Sequence, residues 1–387
     1  MTKKLYDNNS YLSEFDCSVL SYGREDNLIY IVTDETAFFP EGGGQTSDKG
    51  CLDDFYVTDV QIKDGTIYHY TPFSEEALTK LKDKTRLHGK IDWEKRFSDM
   101  QQHSGEHIFS GLVNSQFGYN NVGFHLGSEV VTLDFDGILT EEDVFKIEKL
   151  ANRAIWDNKK IKILFPTDEE LKSIRYRSKI EIEGQTRLVE IPGVDVCACC
   201  APHVNMTGEI GIVEVVAFEK YKGGTRISIL CGERALCDIR HKLQENHKVS
   251  VLTSAKQSET SAFVEKLKAD KEKADYDIVG LKRELLSLKA ESIVPDEKII
   301  VFDNKLEGKL LQDFALEIAD KAKNFAACFS GENGDFRYCI VSHTMNLRNM
   351  GKTLNEAFSG RGGGRPEMIQ GTLSGAEADI RKFLQNI

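Results

Sequence analysis

The sequence has little proline, no long apolar run and no excess of positive charge. Its 387 residues include seven prolines and are 40% hydrophobic and 29% charged. That composition excludes a disordered or fibrous chain and is sufficient for a sizeable core. No apolar run approaches the roughly 20 residues of a membrane span. The formal net charge of −12 excludes a general nucleic-acid coat, which needs a basic surface, but allows a local basic groove. We expect neither a membrane nor DNA as a partner.

The nine cysteines are an odd number, and they occur in a chain without an export signal. The first residues, MTKKLYDNNSYLSEF, are basic but lack the apolar stretch of a secretory signal. We therefore expect a cytoplasmic protein without a disulfide framework. Cys197, Cys199 and Cys200 fall within four residues, where metal binding is favoured over a disulfide.

The pattern along the chain predicts an α+β protein of two or three domains, organised in four parts. Residues 1–91 contain short alternating strands around the loop FFPEGGGQ, which favours a small β-barrel or sheet. Residues 92–245 open with a helix at Asp92 and continue as an α+β core. Residues 246–295 keep a 3-4 apolar spacing, typical of a coiled coil or a helical hairpin arm. Residues 296–387 alternate strand and helix around a glycine-rich loop, GRGGGRPEMIQG, and form a compact α/β module.

Two short motifs together predict a metal site. His103 and His107, in HSGEH, are four residues apart on a predicted helix, so both imidazoles project from one face. Cys199 and His203 follow at a Cys-x3-His spacing, and a set of three histidines and one thiolate suits Zn²⁺. The motif is not HExxH, which excludes the metalloprotease pattern. Cys197 and Cys200 compete with Cys199 as the thiolate ligand, and the spacing does not separate a structural from a catalytic ion.

Four motifs occur in an order that resembles a known family. FFPEGGGQ, HSGEH, the Cys-x3-His pair followed by TGEIG, and SGRGGGRPEMIQG resemble the editing and C-terminal domains of alanyl-tRNA synthetase. They resemble still more the free-standing alanyl-tRNA editing proteins of the AlaX type, in their long form. The resemblance implies a hydrolase that splits the ester between a wrong amino acid, chiefly serine and in some cases glycine, and alanine tRNA. A second, hydrolytic site is needed because one methyl or hydroxyl group discriminates by only about 1–3 kcal/mol.

The resemblance also implies which residues form the editing site. The ligands of one Zn²⁺ would be His103, His107, Cys199 and His203. Thr36 matches the threonine that recognises the serine side chain. Gly42, Gly43, Gly44 and Gln45 match the loop that lines the pocket, although a simple turn is the alternative for the glycines.

The sequence departs from the family pattern in two places. The usual CGGTH is CCAPH here, so Pro202 precedes His203. The polar residue expected after the second histidine has no clear match, and Asn120, Asn121 and His125 are candidates. For His125, the alternative is a satisfied core histidine or one that supports the ligands.

The substrate of that family implies RNA contacts, and the apolar spacing of residues 246–295 favours either self-association or an intramolecular hairpin. Arg187, together with Asp195, is a candidate for orienting ligands or contacting the tRNA end, whereas Asp195 could instead cap a turn. Arg361, Gly363 and Arg365 of the glycine-rich loop are candidates for phosphate contacts. A homodimer, nucleotide binding and ATP binding are further expectations. The alternatives are a zinc hydrolase of another small ester or amide, and a zinc-containing tRNA-binding protein without catalysis.

Overall fold

The computed structural model describes residues 1–178, 186–306, 308–332 and 334–387. The chain divides into two compact units, residues 1–248 and residues 249–387. Both units contain helices and sheets, which confirms the predicted α+β class. Within the described residues, no helix has the length and apolar character needed to cross a bilayer. The finer division into four parts stays a prediction.

The first unit opens with a β-rich region. Its elements are β1 (Lys3–Lys4), β2 (Glu14–Glu25), β3 (Leu28–Thr33), β4 (Glu35–Thr36), β5 (Gly50–Leu52), β6 (Phe55–Val57), β7 (Asp59–Lys63), β8 (Thr66–Pro72), α1 (Glu75–Lys82) and β9 (Arg86–Ile91). Seven of these strands form one sheet in the order β6-β5-β9-β2-β3-β8-β7, and β1 pairs with β4. Among the described residues the edge strands β6 and β7 do not pair, so the sheet is open and the expected small β-barrel is not confirmed.

The remainder of the first unit packs around one long helix, α2 (Trp93–Phe117). Its elements are α2 (Trp93–Phe117), β10 (Asn121–Leu126), β11 (Val131–Phe135), α3 (Glu141–Trp156), β12 (Lys162–Leu164), α4 (Asp168–Leu171), β13 (Leu188–Ile191), β14 (Asp195–Ala198), β15 (Val213–Tyr221), β16 (Gly224–Cys231) and α5 (Gly232–Thr253). One sheet has the order β10-β11-β16-β15 and another β12-β13-β14. The apolar sides of α2 and α3 share one core with strand residues such as Leu133 and Ile229.

The second unit contains a long helix and a five-stranded sheet. Its elements are α6 (Thr260–Ser292), β17 (Asp296–Phe302), α7 (Lys309–Ala319), β18 (Ala322–Glu332), β19 (Asp335–Val341), α8 (Arg348–Ala357), β20 (Arg361–Arg365), β21 (Met368–Ser374) and α9 (Glu377–Gln385). The strand order is β17-β18-β19-β21-β20, with β17 parallel to β18 and the other pairs antiparallel. Alternate residues of β18 enter two different cores, Ala326 with α7 and Phe325 with α8 and α9, because successive strand side chains point to opposite faces.

The glycine-rich segment is a strand, so the expected loop is wrong. Residues Arg361–Arg365 form the edge strand β20, which pairs antiparallel with β21 across a turn at Pro366. A Cβ on Gly362 would lie 2.4 Å from the carbonyl oxygen of Gln370. The absence of side chains therefore allows close strand pairing, a use of glycine that the sequence pattern does not distinguish from loop flexibility.

The predicted arm is helical but interrupted. The helix α5 ends at Thr253, where Ser254 adopts a positive φ of 53°, and α6 begins at Thr260. The apolar seam of α6 is exposed, with Leu267 at 62% and Leu281 at 64% of their full accessibility. A coiled coil is not confirmed.

Candidate metal centre

The long helix α2 presents two histidines side by side. The Asp92 side chain caps its N-terminus by accepting from the backbone N–H of Lys95, and Gly118 ends it with a φ of 76°. His103 and His107 are four residues apart, and their ring centroids are 5.3 Å apart. Both side chains are buried. The predicted helix from Asp92 is therefore confirmed, and it directs both imidazoles to one place.

The segment after β14 brings Cys199 and His203 to the same place. The His203 ring lies 4.9 Å from the His103 ring and 4.6 Å from the His107 ring, centroid to centroid. Arg187 braces this segment, because its Nη1 donates to the carbonyl oxygens of Cys199 at 2.7 Å and Ala201 at 3.1 Å. The Ser10 hydroxyl donates to the His203 carbonyl oxygen at 2.9 Å. Two segments almost a hundred residues apart thus form one side-chain cluster.

The four side chains bring their donor atoms close enough to share one ion. One donor atom from each of His103, His107, Cys199 and His203 lies within 4.8 Å of the others. Cys199 Sγ is 3.5 Å from His103 Nε2 and 3.4 Å from His203 Nε2. Zinc bonds of about 2.0 Å to nitrogen and about 2.3 Å to sulfur give a tetrahedral N···S edge of about 3.5 Å. The group could therefore hold a metal ion, and its donor atoms suit zinc.

Each imidazole meets a polar group at Nδ1, on the side away from the cluster. His103 Nδ1 is 2.8 Å from Gln45 Oε1, and His203 Nδ1 is 3.0 Å from Ser104 Oγ. His107 Nδ1 is 3.3 Å from Asp195 Oδ2, a charge contact that lacks hydrogen-bond alignment. With the ring hydrogen on Nδ1, each Nε2 keeps a lone pair for an ion. Such outer contacts fix ring orientation and tautomer in metal sites.

An ion pair holds the carboxylate beside His107. Arg177 Nε and Nη2 donate to Asp195 Oδ1 and Oδ2 at 2.7 and 2.8 Å. Burial alone would raise the pKa of Asp195, but its contacts with Arg177 and His107 hold that pKa below the ordinary value. The carboxylate therefore stays charged while it contacts the imidazole.

Burial sets the protonation of two of the four side chains. It raises the pKa of the Cys199 thiol to about 12, the effect expected when a thiolate is removed from water. It lowers the pKa of His203 well below the ordinary value, and the neighbouring His107 and His103 contribute in the same direction. His203 is thus the neutral imidazole that metal ligation requires.

The GGGQ segment forms a tight turn beside the cluster. Gly42 and Gln45 exchange backbone hydrogen bonds of 3.1 and 3.0 Å, and Gly43 and Gly44 have φ angles of 61° and 84°. Two positive φ angles in a row are typical of a type I′ turn, which glycine adopts without strain. A Cβ on Gly44 would lie 2.6 Å from Phe124 Cδ1, whereas a Cβ on Gly43 would meet no atom within 4 Å. The segment therefore folds as a tight turn with Gly43 facing open space, and its pocket-lining role stays a prediction.

The side-chain amide of Gln45 has its oxygen in use and its nitrogen unused. Its Oε1 contacts His103, whereas its Nε2 is buried and finds no hydrogen-bond partner among the described residues. Only 1% of Gln45 is accessible. A buried donor without an acceptor costs about 1–3 kcal/mol, and a bound ligand can supply the acceptor.

A buried ion pair fixes the turn against α2. Arg96, which is fully buried in the first turns of α2, pairs with Asp48 three residues after Gln45. Arg96 Nη2 also donates to the Ala37 carbonyl oxygen at 2.6 Å, and Asp48 accepts from the Phe39 backbone N–H at 2.5 Å. The pair ties α2 to the segments on both sides of the turn, and so sets the distance between Gln45 and His103.

Thr36 is fully buried, and its hydroxyl is oriented by a histidine. His69 Nδ1 lies 3.0 Å from the Ile31 carbonyl oxygen, which can only accept, so this nitrogen carries the hydrogen. His69 Nε2 therefore accepts from the Thr36 hydroxyl at 2.8 Å. The Thr36 oxygen also accepts from the Phe38 N–H at 3.1 Å. One lone pair of Thr36 remains, so the hydroxyl could accept one more hydrogen bond but not donate one.

The other residues named from the sequence lie outside the cluster. His125 is exposed on β10, which does not match a core histidine. Cys200 is exposed, and Cys197 is buried on the Asp195 side of His107, so Cys199 is the thiol that the structure groups with all three histidines. Asn120 is exposed, whereas Asn121 is buried and donates to Glu106.

The candidate RNA contacts differ in exposure. Arg187 is largely buried behind Cys199. Arg361, Gly363 and Arg365 are exposed on the edge strand β20 of the second unit. Their roles stay predictions.

Sequence reasoning missed several supporting residues. These are Ser104, Arg96 with Asp48, Arg177, and His69. The serine of HSGEH was the only one within a recognised motif. The others are far in sequence from the side chains that they orient, and a single sequence gives no signal for such pairs.

Comparison with known proteins places this cluster in a family context. The model of the threonyl and alanyl tRNA synthetase second additional domain matches residues 186–228, which include Cys199 and His203. The alanyl-tRNA editing protein AlaX-L of Pyrococcus horikoshii is 25% identical over 98% of this chain and 96% of its own length. The alanyl-tRNA editing protein Aarsd1 of Rattus norvegicus is 26% identical over 92% of this chain and 88% of its own length.

A synthetase also matches, but over a smaller part of its length. The alanine–tRNA ligase of Pyrococcus furiosus is 28% identical over 97% of this chain and 42% of its own length. The resemblance that the motifs indicated is therefore confirmed along nearly the whole chain. Neither the comparisons nor the described residues support ATP binding.

Proposed function

From its resemblance to the alanyl-tRNA editing proteins of the AlaX type, in their long form, we propose that this chain is a trans-editing hydrolase. It deacylates alanine tRNA that carries serine or glycine, and water splits the aminoacyl ester. The observation that carries the proposal is the convergence of His103, His107, Cys199 and His203 beside the unpartnered amide of Gln45. A purely structural metal site would not need a buried amide without an acceptor at its edge.

The four clustered side chains are proposed to hold one Zn²⁺. Their N/S donor set, the two N···S distances near 3.5 Å and the polar contact at each Nδ1 support that assignment. A bound zinc ion would supply positive charge that orients the substrate. Four protein ligands complete a tetrahedron, so we assign the ion a positioning role.

The chain's own residues then bind and orient the ester. Gln45 Nε2 donates to an oxygen of the substrate, which gives this buried group its missing acceptor. Gly43 faces open space beside Gln45, so the turn allows the substrate to approach the backbone closely. Thr36 accepts a hydrogen bond from the serine hydroxyl through its remaining lone pair. Alanine has no hydroxyl to donate and loses this contact.

Two further features extend the proposal to binding and assembly. Arg361, Gly363 and Arg365 contact tRNA phosphates from the exposed edge strand, and Arg187 and His125 assist at the acceptor end. The exposed apolar seam of α6, which includes Leu267 and Leu281, pairs with a second copy in a homodimer. The proposed substrate implies a cytoplasmic location. Light scattering on Leu281→Glu, which should shift a dimer to a monomer, tests the assembly.

Release of labelled amino acid from seryl-, glycyl- and alanyl-tRNA(Ala) tests the proposed activity. Wild type should release serine or glycine and spare alanine. His107→Ala should lose both zinc and activity. Gln45→Glu, which keeps an oxygen against His103 Nδ1 but removes the Nε2 donor, should lose activity but keep zinc. No release from any substrate by the zinc-loaded wild type would instead favour the non-catalytic tRNA-binding protein or a hydrolase of another small ester.

A further inference from the structure

A polar cleft lies on the far side of the Asp195 carboxylate from the metal cluster. Its volume is about 610 Å³, within the usual range for a bound small molecule. The end of α2, the start of β10, the segment before residue 178 and β14 form its walls. The lining residues used here are Asn114, Asn121, Arg175, Tyr176, Arg177 and Asp195.

The cleft shares two residues with the surroundings of the ligands. Asp195 lines the cleft and lies 3.3 Å from His107 Nδ1. Asn121 also lines it, and donates at 2.6 Å to Glu106, the residue before His107. The cleft is therefore one side chain away from the cluster where the ester is proposed to bind.

The charges in the cleft favour an anion. Arg177 is neutralised by its two hydrogen bonds to Asp195. Arg175 is exposed and makes no hydrogen bond or ion pair with any residue that the structure describes. The other lining residues are uncharged and include the amides of Asn114 and Asn121 and the Tyr176 ring. A guanidinium with no partner in the described part of the chain, beside one aromatic ring, suits a phosphate linked to a flat, stackable group.

We propose that this cleft binds the unpaired nucleotides that precede the esterified one at the 3′ end of the substrate RNA. Tyr176 stacks on a base, and Arg175 pairs with a phosphate. The inference rests on the proposed editing function and adds to it a separate subsite for the RNA strand. Single-stranded RNA is commonly held in this way, because its bases are free to stack on aromatic side chains.

Two substrates separate this subsite from the reacting centre. One is seryl-tRNA(Ala), and the other is the seryl ester of adenosine, which has no preceding nucleotides. On the tRNA, Tyr176→Ala should raise KM by about 5- to 150-fold, the measured range for loss of one base stack, whereas Tyr176→Phe should keep the wild-type KM. Arg175→Gln should reduce the slope of log KM against log salt by about 0.7, as expected for one contact to a single strand.

On the adenosine ester, both Tyr176→Ala and Arg175→Gln should match wild type. Arg86→Gln, which removes an exposed arginine on β9, serves as the matched control and should change neither substrate's kinetics. Zinc content and Tm measured on each variant report folding. Equal losses on both substrates, or unchanged KM and salt slope on the tRNA, would overturn the subsite. Failure of wild type to hydrolyse seryl-tRNA(Ala) would refute the editing function itself, and the subsite with it.

Discussion

Replacing Asp195 by asparagine should have two effects at once: weaker metal binding and lower stability of the first unit. Asparagine keeps the shape of the side chain but removes the charge that pairs with Arg177 and contacts His107. Removing one partner of a buried ion pair costs about 3–5 kcal/mol, and the Arg177 side chain is only 15% accessible. Loss of a polar partner behind a metal ligand typically lowers metal affinity by about 10–100-fold. That factor corresponds to about 1.4–2.7 kcal/mol of binding free energy.

The chain contains a matched control for this change. Asp134 and Arg226 form the same two-bond ion pair, with distances of 2.6 and 2.7 Å, but they lie on β11 and β16, and in the described structure neither hydrogen-bonds a ligand residue. Their side chains are 20% and 30% accessible, so Asp134→Asn should cost about 1 kcal/mol or less. Competition with a chromophoric chelator gives the zinc affinity, and urea denaturation gives the free energy of unfolding. Equal zinc affinities in Asp195→Asn, Asp134→Asn and wild type would refute the role of Asp195.

The remaining predictions concern His69, Thr36 and the glycines of the turn. Burial lowers the pKa of His69 to about 4, so as the pH falls the unfolded chain takes up a proton before the folded chain does. The free energy of unfolding should therefore fall by about 3 kcal/mol between pH 6.5 and 4 in wild type, and by less in His69→Gln. Urea denaturation at each pH measures this. Thr36→Val should slow serine release selectively, and equal effects on seryl- and glycyl-tRNA(Ala) would contradict its assigned contact. Gly44→Ala should lower the Tm more than Gly43→Ala does. The positive φ costs both variants about 1–2 kcal/mol, but only the new Cβ at position 44 would collide with Phe124. Equal Tm values would contradict this.

The sequence identified the residues of the cluster because helical spacing and chemistry are local. The His103 and His107 pair follows from one helical turn, and Cys199 and His203 are separated by three residues. The shared donor chemistry of three imidazoles and a thiol joined the two pairs, and the family resemblance implied the same set. The sequence did not show which of Cys197, Cys199 and Cys200 is the thiol ligand. The course of the backbone after β14 places Cys199 with the three histidines, and the spacing of three nearby thiols does not determine that course.

What the sequence could not supply is the set of long-range partners. Arg96 and Asp48, or Arg177 and Asp195, are charged residues that a sequence pattern would place on the surface, yet folding buries them as pairs. The glycines of β20 show the converse problem. A run of glycines predicts a loop, but here it permits tight strand pairing that depends on β21.

The rate of serine release from seryl-tRNA(Ala), measured as zinc is added back to the metal-free protein, tests the central claim most directly. The rate should rise in proportion to the zinc bound and reach its plateau at one zinc per chain, with alanyl-tRNA(Ala) spared throughout. A full rate without metal, or no release at one zinc per chain, would contradict it.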